Sequence, residues 1–220
     1  MKINTKNSSR AFTLIELLVV IGIIAALAAG VGLALRDNNP SSALRGAQGL
    51  TVSALSSARG QAALNQSVAK LIVQADKSKE TFLRAIRVVV SSDGGATWRQ
   101  VGGEMVLPSR VYIVPSGSVS GLTPAGSGRK STFFNNAAPA TVSGISASDG
   151  TWISSGWISP LGVLTTGSGS TIVSGDIVVG SGQITGAGEV TLDNYESLRG
   201  VSVSRYGVAT IVNDAASFGN

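Results

Sequence analysis

The stretch SSRAFTLIELLVVIGIIAAL, residues 8–27, holds one carboxylate, Glu16, near the start of an otherwise uncharged apolar run. The run extends from Phe12 through Leu35, 24 residues in which Glu16 is the only charge. As a helix rising about 1.5 Å per residue it would be about 36 Å long, against a bilayer core of about 30 Å. A soluble core helix of that length shows a polar face every three or four residues, and none is present. The run reads as a membrane helix, or as the core of an unusually long signal peptide.

Residues 1–11, MKINTKNSSRA, carry Lys2, Lys6 and Arg10 and no acid. By the positive-inside rule this end stays in the cytoplasm and everything after Leu35 goes to the other side. A secretory signal has an apolar core of about 7 to 15 residues followed by a small-residue cleavage site. Here the run is longer, and its polar junction lies before the apolar stretch. A conventional cut near Ala28-Ala29-Gly30 is the competing reading.

A charged Glu16 in the bilayer costs about 2.5 to 3.5 kcal/mol on insertion scales. Snorkelling to the headgroups explains its tolerance but gives it no task. A cut between Ala11 and Phe12 would create an α-ammonium four residues before Glu16. The ammonium of a neighbouring copy would then neutralise the carboxylate in a low-dielectric setting and set the register between packed helices.

The sequence RAFTLIELLVVIGIIAAL resembles the class III signal of type IV pilins and type II secretion pseudopilins. In that family a prepilin peptidase cuts before the apolar helix and methylates the new N-terminus. The resemblance implies that Phe12 becomes the N-methylated first residue and that Glu16 is the assembly glutamate. It also implies a single-pass protein of the bacterial inner membrane with its C-terminal domain in the periplasm. Its partners would be the peptidase and other pilins or pseudopilins, met through the N-terminal helix in a periplasmic pseudopilus or a pilus. The family usually has Gly before the cut, and this chain has Ala11.

Composition agrees with such a placement. Three of the 17 basic residues lie in the leader, which leaves 14 against 12 acids, so the remainder is near neutral. No basic cluster points to nucleic acid. There is no cysteine, hence no disulfide, and no histidine. The usual general base, thiol nucleophile and most metal ligands are therefore missing, and no enzyme, metal or cofactor is expected. Asp76, Asp149 and Asp176 sit in turn-like contexts without a calcium-loop signature.

Beyond the junction RDNNPSS, the residues Leu44, Ala47, Leu50, Ala54, Leu55, Ala58 and Ala62 recur at three and four, the pattern of a helix with one apolar face. It is either the continuation of the first helix or a separate surface helix, Pro40 marking the break. Then the period changes. VAKLIVQ (68–74), FLRAIRVVV (82–90), TWRQV (97–101) and RVYIV (110–114) are short, β-branched and divided by turn residues. They read as strands of an antiparallel meander. The order A-R-x-x-A, strand, strand, W, L-P across about residues 41–114 is similar to the H-type (GspH/FimT) minor pseudopilins. In that group LRGVSVSRYGVATIV (198–212) would close the domain as a hairpin.

SSDGGATW, 91–98, fits the pattern S-x-D-x-G-x-T-W of an Asp-box, with Ser91, Asp93, Gly95, Thr97 and Trp98 in place. Sialidase-like propellers repeat it once per blade; this chain has it once, which favours a structural hairpin turn. Residues 115–190 are low in charge and rich in Gly, Ser and Thr. They read as flexible loop followed by added hairpins or a small solenoid-like insert. Phe133, Phe134, Trp152 and Trp157 form either core or a contact surface.

The expectation is an α+β protein: leader 1–11, membrane and assembly helix 12–35, amphipathic helix 36–66, and an antiparallel β domain 67–220 with an insert at about 115–190. Its expected function is that of a pilin-like minor pseudopilin of a type II secretion system. The alternatives are a minor type IV pilus or DNA-uptake pilin, a membrane-anchored glycan-binding β domain, and a secreted hydrolase.

Overall fold

The computed structural model describes residues 14–34, 40–115, 122–123, 130–137, 142–166 and 174–218. The chain divides into two units, Met1–Asn39 and Pro40–Asn220. The first contains helix α1, Leu14–Ala34. Ala11 and Phe12, the expected processing pair, lie outside the described residues. Among the described residues no helix is long and apolar enough to cross a membrane. The side chains of α1 are described only through Leu27, about 21 Å of helix.

The second unit opens with helix α2, Pro40–Leu64. Proline at its first position costs no hydrogen bond, because the amide there has no helical partner. Leu44, Ala47, Ala54, Leu55, Ala58 and Ala62 are buried along one face, with Leu50 half-buried. Gln48 and Thr51 share that face, which periodicity in apolar residues does not reveal. Four of the buried positions are alanines, so the helix backbone approaches the sheets closely. Its packing on two sheets outweighs the cost of Gly46, Gly49 and Gly60, close to 1 kcal/mol each against Ala.

The first sheet is built on β1, Val68–Gln74. Strands β2, Ala85–Ser91, and β3, Arg99–Val106, follow as an antiparallel meander on one side of it. The expected fourth strand of that meander is β4, Val111–Ile113, and it belongs to the other sheet. The chain leaves at Leu107-Pro108: proline cannot donate to a ladder, and Arg110 turns through φ 63°. Phe82 and Leu83 are apolar for burial rather than for strand formation. Leu83 has φ 55°, its amide donates to Gln74 O at 2.9 Å, and its carbonyl accepts from the Ile113 amide at 2.8 Å.

The second sheet has the order Ala209–Val212 (β13), Arg199–Ser204 (β12), Ser174–Ile184 (β10), Val190–Leu192 (β11) and Leu122–Thr123 (β5). β12 and β13 form the hairpin anticipated at 198–212. β10 is the 11-residue spine: Ser174–Val179 pairs with β12, Val179–Ser181 with β4, and Gly182–Ile184 with β11. Other parts of the expected insert complete the first sheet. Trp152–Ser155 (β7) and Trp157–Ile158 (β8) pair with β1, while Phe134–Ala137 (β6) pairs with β7 and Leu164–Thr165 (β9) with β8. The Gly/Ser-rich region therefore supplies one side of the first sheet and the spine of the second, and is not an appendage. Its glycines mark close approaches. A Cβ on Gly200 would fall inside van der Waals contact of Ile177 O and lie 2.9 Å from Phe218 Cζ.

The core lies between α2 and the two sheets, and includes Leu55, Leu71, Ile86, Ile113, Ile158, Ile177 and Val201. Gln48 ties the helix in: its Nε2 donates to Gly200 O at 2.8 Å and Val212 O at 2.9 Å. Phe133 and Phe134 are buried there, edge to face at 5.6 Å. The described architecture is two helices with largely antiparallel sheets, the α+β class.

Candidate functional site

Two features carry the sequence-level expectations. In the first, α1, every large apolar side chain from Leu14 to Leu27 is exposed, with Val20 the least at 47% and Leu14 the most at 81%. The exposed residues occur at every helical phase: Leu17, Leu18, Val19, Val20 and Ile21 are consecutive. A helix that is apolar all round must be covered by lipid or by other helices, since water alone would leave every one of these side chains solvated. Glu16 lies in the first turn of α1. A carboxylate there faces the positive end of the helix dipole, worth about 0.3 to 1 kcal/mol at an exposed site.

The second feature joins β2 to β3. The Ser91 hydroxyl donates to Asp93 Oδ1 at 2.6 Å, and the Gly95 amide donates to Ser91 Oγ at 2.8 Å. The Thr97 amide donates to both Asp93 oxygens at 2.9 Å, and the Thr97 hydroxyl also donates to Asp93. Trp98 Nε1 closes the turn on Gly95 O at 3.0 Å. Gly94 and Gly95 supply φ 69° and 94°, which other residues adopt only with strain. Hydrogen bonds from Ser91 and then Thr97 hold the Asp93 carboxyl far below the usual carboxylate range. Its oxygens are thus engaged within the turn.

That turn is also a latch. Trp98 meets Trp157 of β8 edge to face at 5.4 Å, and a Cβ on Gly95 would collide with the Trp157 ring. Together with Ile72 and Val89 they form a small second core on the face of the first sheet away from α2. Lys70 Nζ lies 4.6 Å from the Trp98 ring centre and 5.0 Å from that of Trp157. Burial lowers the pKa of this ammonium, and the ring faces partly offset its lost hydration. Trp152 and Trp157 are half-buried, packed against this cluster.

Beside it, the register of β2 and β3 shifts between Ile86 and Val88, opposite Gly102 and Gly103. This brings Glu104 to 2.6 Å from Arg87, which also reaches Asp149 at 3.4 Å and stacks on Trp152 at 4.7 Å. The acids expected in turns are dispersed. Asp76 accepts from the Ser78 amide and hydroxyl, which lower its pKa, whereas Asp176 lies within β10. Among the described residues no three His, Cys, Asp or Glu side chains are grouped to hold a metal.

Compared with known proteins, residues 6–32 match the family described as the prokaryotic N-terminal methylation motif. No curated protein and no solved structure matches the chain. The matched segment contains Ala11, Phe12 and Glu16, and ends within α1. This N-terminal signal supports a type IV pilin-like chain processed by prepilin peptidase.

Proposed function

We propose that the chain is an H-type minor pseudopilin, assembled into the pseudopilus of a type II secretion system. In this reading the peptidase cuts between Ala11 and Phe12 and methylates Phe12. The helix 12–35 spans the inner membrane until assembly transfers it to the filament core. Glu16 then meets the Phe12 ammonium of a neighbouring copy, and the β domain sets contacts at the filament tip or flank. The role is structural and involves no catalysis by this chain.

The observation that supports this best is the uniform apolar exposure of α1. One such surface serves both states, because lipid tails and neighbouring apolar helices offer it similar surroundings. Withdrawing Glu16 from headgroup water costs several kcal/mol, and the pairing ammonium offsets that cost. The order of elements, a helix on antiparallel sheets with a closing hairpin, supports the pseudopilin form of the reading. A glycan-binding module is less well supported, since Asp93, Ser91 and Thr97 bond to one another.

The test is co-expression with a prepilin peptidase and mass spectrometry of the mature N-terminus. A methylated Phe12 is the expected result. An intact Met1, or a start near residue 30, overturns the assembly mechanism.

A further inference from the structure

The second unit carries a cavity of about 480 Å³ lined by Arg45, Gln48, Arg199, Ile211 and Asn213. Arg45 comes from the second turn of α2, Arg199 opens β12, and Ile211 and Asn213 come from β13 and the residues just after it. The two arginines are 154 positions apart in sequence and line one cavity because α2 packs on the last hairpin. Of the lining residues Gln48 is the most buried, 2% exposed, and its amide nitrogen is committed to the carbonyls of Gly200 and Val212. The neighbouring Asp214 is turned to the amide of Ala216 at 3.0 Å, so its carboxylate caps the following turn. Neither Arg45 nor Arg199 has an ion pair among the described residues; those present join Arg87 to Glu104 and Asp149, and Arg110 to Asp193.

We infer that this cavity binds a phosphate-bearing anion. Arg45 and Arg199 both line this space, and arginine suits phosphate oxygens because its guanidinium presents a planar fork of N–H donors. Asn213, also in the lining, carries an amide able to donate. Ile211, 53% exposed, gives the cavity one apolar wall, which a free inorganic ion does not use and a glycerol-linked phosphate does. The volume falls within the range of small-molecule sites, about 300 to 1,000 Å³. The favoured source is the headgroup of an anionic phospholipid, since Arg45 follows the apolar run by only ten residues. The phosphate chemistry stands on the cavity itself; the lipid source rests on the proposed membrane anchoring.

The experiment uses the full chain in nanodiscs of phosphatidylcholine alone and of phosphatidylcholine with phosphatidylglycerol. Retained lipid is counted by native mass spectrometry after release from the disc, and thermal unfolding is followed by tryptophan fluorescence. Inorganic phosphate is titrated into the phosphatidylcholine sample as a separate arm, and acetate serves as the carboxylate control. Retention of phosphatidylglycerol is expected, together with a higher unfolding temperature in its presence. Arg45→Gln and Arg199→Gln should each weaken retention roughly fivefold, and the double variant more.

A response to inorganic phosphate without one to phosphatidylglycerol supports the site and assigns it a soluble ligand. Three results overturn the proposal: a response to acetate equal to that to phosphate, no response to either phosphate source, or a response that the double variant retains. Tryptophan fluorescence of the double variant in phosphatidylcholine shows whether it is folded; if it is not, Arg45→Lys, which keeps the charge but loses the fork, takes its place. Processing at Phe12 is read independently, so loss of lipid retention with normal processing separates this inference from the assembly reading.

Discussion

Helices α1 and α2 are both longer than twenty residues, yet they solve the problem of their apolar side chains in opposite ways. In α2 the apolar residues lie on one stripe, several of them alanines, and its own domain covers that stripe. In α1 they lie on all sides, and the exposed large residues are Leu, Ile and Val. Small residues on α2 suit one closely fitted partner within the chain. Large residues all round α1 suit a surrounding medium, or a crowd of similar helices. On the proposed function the difference separates what folds the domain from what assembles it, and substitutions in the two helices should have separate consequences.

The largest effect is expected at Glu16. Glu16→Ala should reduce filament incorporation roughly 100-fold or more, as removing one partner of a desolvated charge pair costs about 3 to 5 kcal/mol. Immunoblotting of sheared filaments measures this, and the unfolding midpoint of the β domain should stay unchanged. A shifted midpoint would break the separation. Leu55→Ala tests the other side: the side chain is 1% exposed, and its truncation should destabilise the domain by about 2 to 5 kcal/mol. Denaturant unfolding in detergent, followed by the fluorescence of Trp98, Trp152 and Trp157, reads it.

A smaller loss, about 1 to 3 kcal/mol, is expected for Gln48→Ala, which leaves the carbonyls of Gly200 and Val212 without their donor. Amide exchange should locate the loosening in the final hairpin rather than in α1. The smallest effect is at Asp93. Its pKa is lower in the folded chain than the unfolded value of about 3.9, so its contribution is complete above that value. It is lost as pH falls through the folded value. Asp93→Asn should therefore lower the unfolding temperature modestly at neutral pH, and the difference from wild type should shrink below about pH 4. A difference independent of pH would show that the charge of the carboxylate is not what holds the turn.

How much of this is legible in the sequence differs along the chain. The apolar face of α2 and the extent of β1 follow from residue spacing, because both are local patterns. Gln48 and Thr51 escape such a reading, since their burial depends on hydrogen bonds to distant or preceding carbonyls. The segment of β10 reads as an added hairpin or solenoid-like strand, but its place as the spine of the second sheet escapes the sequence for a different reason. Its glycines resemble linker composition, but Gly180 lies against Leu198 and Leu192, and Gly182 against the backbone of Thr191. The lack of a side chain there is a packing requirement that only the neighbouring strands make visible. Glu16 is legible as an isolated charge in an apolar run. The cavity between Arg45 and Arg199 is not, because no local pattern links residues so far apart.

The bonds from Gln48 reach across 152 and 164 residues, and they set an order in time. A ribosome adds about 5 to 20 residues per second, so Gly200 follows Gln48 by roughly 8 to 30 s. β1 likewise waits for β7 and β8, more than 75 residues downstream, before its second edge is covered. Throughout that interval α2 and the first strands lack β7, β10 and β12, which complete their burial, whereas the N-terminal signal is complete from the start. Targeting can therefore begin on an unfolded chain, and the domain closes only when its last hairpin arrives.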